Sequence, residues 1–403
     1  MKKVMVVGAG ASGMIAAITA AREGAKVILL EKNDRVGKKI LATGNGKCNL
    51  ANTNMDMGNY YVKNEKKLNK CFSVFGVEDS ISFFQNAGLM LKDKGGYLYP
   101  ACEQASVVLD ILRNLIKNAN IDVRTETEVI GVKAEKNKVI LTTNIGKLES
   151  DSVIFACGSY AGLKKNNQRA GYEMAKELGH SVVEPVPALV QLRCKESIFP
   201  SVAGVRCNAS LVLKEKNKVL AKENGELQLT DYGISGIPVF QLSRIVARNK
   251  CKDLTVEIDF LPEFSSEKWK DFYESRIATM ADETAENFLL GILNKKINAM
   301  LLKKQGINPA ERLKNCKKTA LLELCEDMKC FRVTPTGTNP FENAQVCAGG
   351  VDFDELSDRL SSCFHDNVYF CGEMIDVDGK CGGYNLQWAW TSGYIAGMNA
   401  AKN

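Results

Sequence analysis

Histidine is scarce in this sequence: His180 and His365 are the only two among 403 residues. Neither stands in a pattern that a Ser–His–acid triad or a metal centre needs, and His180, directly after Gly179, reads as a helix-end residue. CxxC spacing is missing as well. The fourteen cysteines are scattered, the nearest pair (Cys325 and Cys330) has four residues between, and no zinc pattern or disulfide framework emerges. Free thiols in that number suit a reducing cytoplasm. No stretch offers about 18 clean apolar residues, which argues against a spanning helix and a membrane partner. Charge of one sign is lacking too: 53 Lys+Arg against 47 Asp+Glu give +6. The lysines gather only loosely, at Lys63, Lys66, Lys67 and Lys70 and at Lys214, Lys216, Lys218 and Lys222, and read as solvated surface. A nucleic-acid footprint needs one basic face with aromatic platforms, so no nucleic-acid partner is expected.

What is present is an ordinary globular balance, 45% hydrophobic and 25% charged, over a length that suggests two or three units. Lys2 and Lys3 before an alanine-rich stretch imitate a secretory signal, but the glycines that follow explain the stretch better. Val4 to Val7 reads as a buried strand, Gly8 to Gly13 as a tight turn, Met14 to Glu23 as a helix stopped by Gly24, and Val27 to Leu30 as a second strand closed by Glu31. In Gly8-Ala9-Gly10-Ala11-Ser12-Gly13 the first glycine permits the turn, Gly10 admits a pyrophosphate to the backbone, and Gly13 lets helix pack on strand. Glu31, 18 residues beyond Gly13, is placed to accept the ribose hydroxyls. The motif fixes a dinucleotide site without separating FAD from NAD. A late strand, Val368 to Cys371, ending in Gly372-Glu373, argues for FAD, which is long enough to need a second, distant element. Gly379 to Asn385 then runs into a last helix, Leu386 to Ala401, whose first amides suit the negative charge of a reduced flavin.

Between these ends, Asp34 to Asn54 reads as a long functional loop, Ser80 to Ala87, Ala105 to Asn118 and Gly171 to Leu178 as helices, Val129 to Val132 and Lys138 to Thr143 as a meander. Four strand-like runs from Leu189 to Phe260 suggest a small β unit, residues 265 to 304 are helical with apolar stripes read as core, and Asn308-Pro309 marks another helix start.

The chain resembles the BaiN-like family of NAD(P)/FAD-dependent oxidoreductases, also known as aminoacetone-oxidase-type flavoproteins. The resemblance is carried by Gly37 to Asn49, by Pro187-Ala188-Leu189-Val190, by Tyr232-Gly233-Ile234-Ser235-Gly236, and by Ala348 to Val351 with Gly372-Glu373, Asp376 to Gly379 and Gly382 to Trp388. It departs from the family at Asn45, Lys47, Cys157, Asp231 and Cys381. It implies an α/β fold: a glutathione-reductase-type FAD-binding Rossmann domain, residues 1–187 and 332–403, with an inserted β-barrel and helical subdomain at 188–331 that covers the flavin. It nominates as FAD contacts Gly8, Ala9, Gly10, Ala11, Ser12, Gly13, Glu31, Lys32, Lys39, Thr43, Gly44, Asn45, Lys47, Cys48, Asn49, Val129, Gly158, Gly372, Glu373, Asp378, Gly383, Tyr384, Asn385 and Leu386. The implied reaction is reduction of a C=C bond conjugated to a ketone in a small hydrophobic substrate of the 3-oxo bile-acid or steroid kind. NADH or NADPH would be the electron donor, bound transiently because no second GxGxxG exists. Tyr384, with Tyr232 behind it, is the candidate proton donor, and each is equally placed to be a packing tyrosine. Cys48, without a CxxC partner, reads as structural. A flavin amine oxidase, an RNA-modifying flavoprotein and a flavin-binding protein without turnover stay open, and no metal is expected.

Overall fold

A computed structural model of the chain describes residues 1–163, 171–249 and 253–402. It divides into two compact units, Met1–Val186 with Gln345–Asn403, and Pro187–Ala344.

The first unit is built on a βαβ start. Strand β1 (Lys3–Val7) leads through the glycine turn into α1 (Ala11–Arg22), Gly24 turns the chain with φ +87°, and β2 (Lys26–Leu30) returns parallel to β1. The parallel sheet runs Val368–Phe370, Ser152–Phe155, β1, β2, Asp122–Arg124 from edge to edge. Successive side chains of a strand point to opposite faces, and here both faces are covered, so the strands read as unbroken apolar runs. Val4, Val6, Leu29 and Ile154 join a core with α1, the helix Ala105–Asn118 and the closing helix Tyr384–Lys402. Met5, Val7, Ile28, Leu30, Val153 and Phe155 join a second core with Val139 and Leu141 of the antiparallel meander Val129–Glu135, Lys138–Thr143, Gly146–Ser150. A three-layer α/β domain with a Rossmann core is the result, as the sequence implied.

The closing helix lies against α1 at glycine distance. A Cβ at Gly393 would come within 2.4 Å of Ser12 O, and one at Gly397 within 2.4 Å of Ala16 O. Two glycines four residues apart thus face two residues four apart on α1, and the backbones meet without intervening side chains.

The second unit is a seven-stranded antiparallel sheet in the order Phe331–Val333, Leu254–Asp259, Arg206–Glu215, Lys218–Leu229, Gly233–Ser235, Leu192–Cys194, Pro335–Thr338. Its two edge strands are consecutive in the chain, separated by Thr334 alone, so the sheet is rolled. The helices Ile237–Arg248, Ser266–Thr279, Ala285–Leu289, Lys295–Lys304 and Lys318–Lys329 share one apolar core with it, including Trp269, Phe288 and Leu324.

Three readings of the sequence are corrected. The unit does not end at residue 331, because the strands Phe331–Val333 and Pro335–Thr338 complete its sheet. The Asn308-Pro309 helix start is a single turn: Asn308 Oδ1 does accept the Ala310 amide at 3.1 Å, but no α-helix follows until Lys318. Lys67, read as solvated, is buried, its ammonium donating to the carbonyls of Phe353 (2.6 Å) and Leu356.

Candidate functional site

The glycine turn shows what each glycine is for. A Cβ at Gly8, whose φ is +102°, would lie 2.4 Å from Ala156 O, and one at Gly13 would lie 1.9 Å from Gly8 O. A Cβ at Gly10 would meet nothing within 4 Å. The outer glycines are demanded by packing, while the middle one faces open space at the N-cap of α1, where no side chain caps the helix. A diphosphate fits that cradle, drawn by the amides and the positive end of the helix.

Glu31 closes the site from β2. Its Oε2 accepts the Ala9 amide at 3.0 Å, and its Oε1 accepts both the amide (2.9 Å) and the carboxamide (2.6 Å) of Asn33. The carboxylate is therefore fixed to the glycine turn itself, and its remaining lone pairs suit ribose hydroxyls. Lys32 is exposed beside it. Gly158, with φ +73°, ends the strand Ser152–Phe155, and Val129 is buried at the start of the meander.

The long loop is more ordered than its composition suggested. Lys38–Gly46 forms 3₁₀ turns, broken where Gly44 and Asn45 take left-handed backbone. Thr43 Oγ1 donates to Ile40 O at 2.6 Å. Cys48 is left-handed too, at φ +57°, and fully buried. Burial pushes its thiol up to about 11 against a smaller opposing effect of Thr43, so it stays protonated at neutral pH, in keeping with a structural role. Among the described residues thirteen cysteines are free, and of these only Cys102 and Cys363 are exposed.

The C-terminal elements meet this loop. Gly372, at φ +72°, has no room for a Cβ, which would lie 2.3 Å from Ser12 Oγ. Its amide donates to Ser392 Oγ at 2.9 Å. Glu373 then takes Lys39 Nζ at 2.6 Å and Ser159 Oγ at 3.1 Å. The two candidate residues Lys39 and Glu373, 334 positions apart, are thus an ion pair. Asp378 is buried in a short strand paired with Tyr61. Asn385 grips the backbone of Gly379, accepting its amide at 2.9 Å and donating to its carbonyl at 2.8 Å. Asn49, with its carboxamide turned to suit its neighbours, accepts the Gly383 amide at 3.3 Å and donates to Ala51 O at 3.0 Å, and Leu386 is half-buried in the first turn of the closing helix.

Tyr384 begins that helix. Its hydroxyl accepts from Asn59 Nδ2 at 3.0 Å, and its carbonyl accepts from Tyr60 Oη at 3.0 Å. Burial, followed by the neighbouring Tyr97 and Asp56, raises its phenol above the ordinary value of 10. Tyr232 belongs to the second unit. There it accepts from Asn339 Nδ2 at 2.8 Å, with the Arg193 guanidinium 5.1 Å from its ring centre.

Sequence reasoning missed one constellation entirely. His180 Nε2 lies 2.7 Å from Ser362 Oγ and its Nδ1 lies 3.2 Å from Glu355, a Ser–His–Glu arrangement from residues up to 182 apart. Ser362 Oγ also accepts the amides of Phe364 (3.0 Å) and His365 (3.1 Å) and is buried, so the group is a lock rather than a nucleophile. Burial lowers the His180 pKa, with Glu355 opposing.

The whole chain matches known proteins. The family model for the HI0933-like protein Rossmann domain covers residues 2–399. The 3-dehydro-bile acid delta(4,6)-reductase of Clostridium scindens is 40% identical over 410 aligned residues, spanning 100% of both chains. The ribosomal RNA dihydrouridine synthase of Escherichia coli is 28% identical, over 99% of this chain and 98% of its own. Among solved structures, the 3-ketosteroid-delta4-(5alpha)-dehydrogenase from Rhodococcus jostii RHA1 covers 100% of this chain and 97% of its own at TM-score 0.51 and 14% identity, a likeness of fold. With a dinucleotide cradle at its start and matches that run nearly end to end, the chain belongs to the HI0933-like Rossmann family, whose BaiN-like members are flavin-dependent oxidoreductases.

Proposed function

We propose that this chain is an FAD-dependent reductase that saturates a C=C bond conjugated to a ketone in a hydrophobic, steroid-like substrate, with NADH or NADPH as donor. One observation carries the reading. Tyr384, at the end of the Gly379–Tyr384 loop, receives a hydrogen bond from Asn59 that leaves its own proton free to be given, and burial raises its phenol above the ordinary range. A positioned, protonated phenol is what such a reduction needs beside a hydride source: one carbon takes hydride, and its neighbour takes a proton.

FAD, once bound, supplies the hydride. The chain's own residues do the rest. The amides after Gly10 would hold the diphosphate, Glu31 would hold the adenosine ribose, and Lys39, Glu373 and Ser159, joined to one another, would hold the ribityl chain. Asn385 and Asn49 clamp the Gly379–Gly383 loop, whose amides would be available to a bound flavin ring.

The relatives support this chemistry. The Clostridium scindens protein is named as a reductase of delta(4,6) bonds, and dihydrouridine arises by saturating the C5–C6 bond of uracil, which is conjugated to a carbonyl. Both names describe reduction of the same kind of bond, and RNA is the second substrate to try. Anaerobic bleaching by NADH or NADPH, followed by reoxidation on adding a 3-oxo-4-ene steroid, is the expected result. Bleaching by an amine alone would replace the reading with an amine oxidase, and reoxidation by RNA alone would move it to the second substrate.

A further inference from the structure

The hairpin Leu91–Lys94 and Tyr97–Pro100 carries charge and aromatic rings on one face. Lys94 stands opposite Tyr97 and Lys92 opposite Tyr99, and alternate residues of a strand share a face. Leu98, between the tyrosines, turns the other way into the core and pairs with Ala51. A third cation arrives from the glycine loop. Lys47 Nζ lies 3.0 Å and Lys92 Nζ 3.3 Å from the Glu103 carboxylate, which Lys94 also pairs with. Three ammoniums against one carboxylate leave a surplus of two positive charges at one point. Lys94, Lys47 and Lys92 together hold the Glu103 carboxyl down to about 2, so it stays ionised. Glu103 itself sits in left-handed backbone at φ +53°, a conformation a glutamate keeps only under constraint.

This face borders the dinucleotide site. The Tyr99 ring is 3.7 Å from where a Cβ would stand on Gly44, and the Tyr97 ring is 2.9 Å from the corresponding point on Gly382, two residues before Tyr384. Asn52 Nδ2 ties the strand beside the hairpin to Gly382 O at 3.0 Å. Tyr97 is 42% exposed.

We propose that Lys47, Lys92 and Lys94 bind the diphosphate of a nicotinamide dinucleotide, with the Tyr97 ring as its stacking platform, beside the Gly382–Tyr384 loop. This deepens the reading of NAD(P)H as donor and rests on it. A diphosphate carries two negative charges within a few ångströms, which matches a surplus of two positive charges gathered on one carboxylate. A nucleic acid would call for a basic stripe that tracks its backbone, and these cations converge on a point. A donor held here needs no second Rossmann motif.

The test is equilibrium binding of NADP⁺ to the flavin-loaded protein, read from the flavin spectrum, with no turnover involved. The double variant K92Q/K94Q is expected to raise Kd about tenfold and to flatten its salt dependence, with flavin content and melting temperature unchanged. The control K133Q/K138Q, on the meander, is expected to bind as the parent does. Unchanged affinity in K92Q/K94Q overturns the proposal, as does a parent protein that does not bind NADP⁺. Displacement of NADP⁺ by a short oligoribonucleotide at lower concentration would assign the face to nucleic acid instead. A protein that binds NADP⁺ here but reduces no enone leaves this site standing and removes only the proposed reaction.

Discussion

Single residues are assigned the chemistry, and they differ in how visible they were. The glycine triplet and Glu31 were legible because a dinucleotide cradle is local: its parts lie within 31 residues and each has one physical task. Tyr384 was legible only as a tyrosine beside glycines; that Asn59 donates to it, leaving its proton available, needed the folded chain. Replacing Tyr384 with Phe should lower kcat roughly a hundredfold while flavin content stays at the parent level. A parental kcat would remove the proton-donor role. Because its phenol is raised above 10, any loss of rate from its ionisation belongs above pH 10, and a pH–rate profile checks this. The His180 lock was invisible, since its partners Glu355 and Ser362 lie far along the chain. His180 has a folded pKa below its ordinary 6.5, so on acidification the unfolded chain takes the proton first. Stability should therefore be full above about pH 6.5 and fall as pH drops below it. His180→Phe, which keeps a ring against Phe364 and Phe370, should flatten the melting-temperature curve between pH 7 and 5. A variant with the parental slope would place the titration elsewhere.

At the level of elements, alternation of apolar strands with helices betrayed the α/β core, because strands buried on both faces have an unmistakable composition. A hairpin and a helix pairing escaped, as did the helices Glu65–Val74, Ile237–Arg248 and Lys318–Lys329. The hairpin Leu91–Lys94 and Tyr97–Pro100 has lysines, an aspartate and tyrosines at most positions and only Leu98 and Pro100 deeply inside, so hydrophobic periodicity passes over it. The pairing of α1 with the closing helix was hidden because glycines inside a helix look like weak helix formers until a neighbour's backbone is seen 2.4 Å from the missing Cβ. Gly393→Ala should cost roughly 1–3 kcal/mol of stability through overpacking and also weaken FAD retention, since the clash falls on Ser12 of the cradle. Gly337→Ala, which meets nothing within 4 Å, is the control. Equal melting temperatures and flavin content for the two variants would contradict the close-packing account.

For the molecule as a whole, stability and cofactor are coupled by mass action. A ligand that binds only the folded chain stabilises it by about 1.4 kcal/mol for each tenfold rise in free concentration above Kd. Stripped protein is expected to melt lower and to regain melting temperature in proportion to the logarithm of added FAD. Added NADP⁺ without FAD should do less, because the α1 cradle and the Lys39–Glu373 pair are assigned to the flavin. A larger effect of NADP⁺ would reverse that assignment. The extent of the second unit was only roughly legible: strands Phe331–Val333 and Pro335–Thr338, each of three or four residues, are too short to announce themselves beside a helix.

The thiols give the molecule a clock. Burial pushes Cys71 and Cys371 up to about 12 and Cys48 to about 11, so these sulfurs present almost no thiolate at neutral pH while the chain is folded. Cys102 and Cys363 lie in the open. Among the described thiols an alkylating reagent should therefore reach Cys102 and Cys363 first, the half-buried ones next, and Cys48, Cys71 and Cys371 only as fast as their regions open. The sequence of later additions, read by mass spectrometry, would time the opening of the loop at Cys48 against that of the central sheet at Cys371 without any label being engineered.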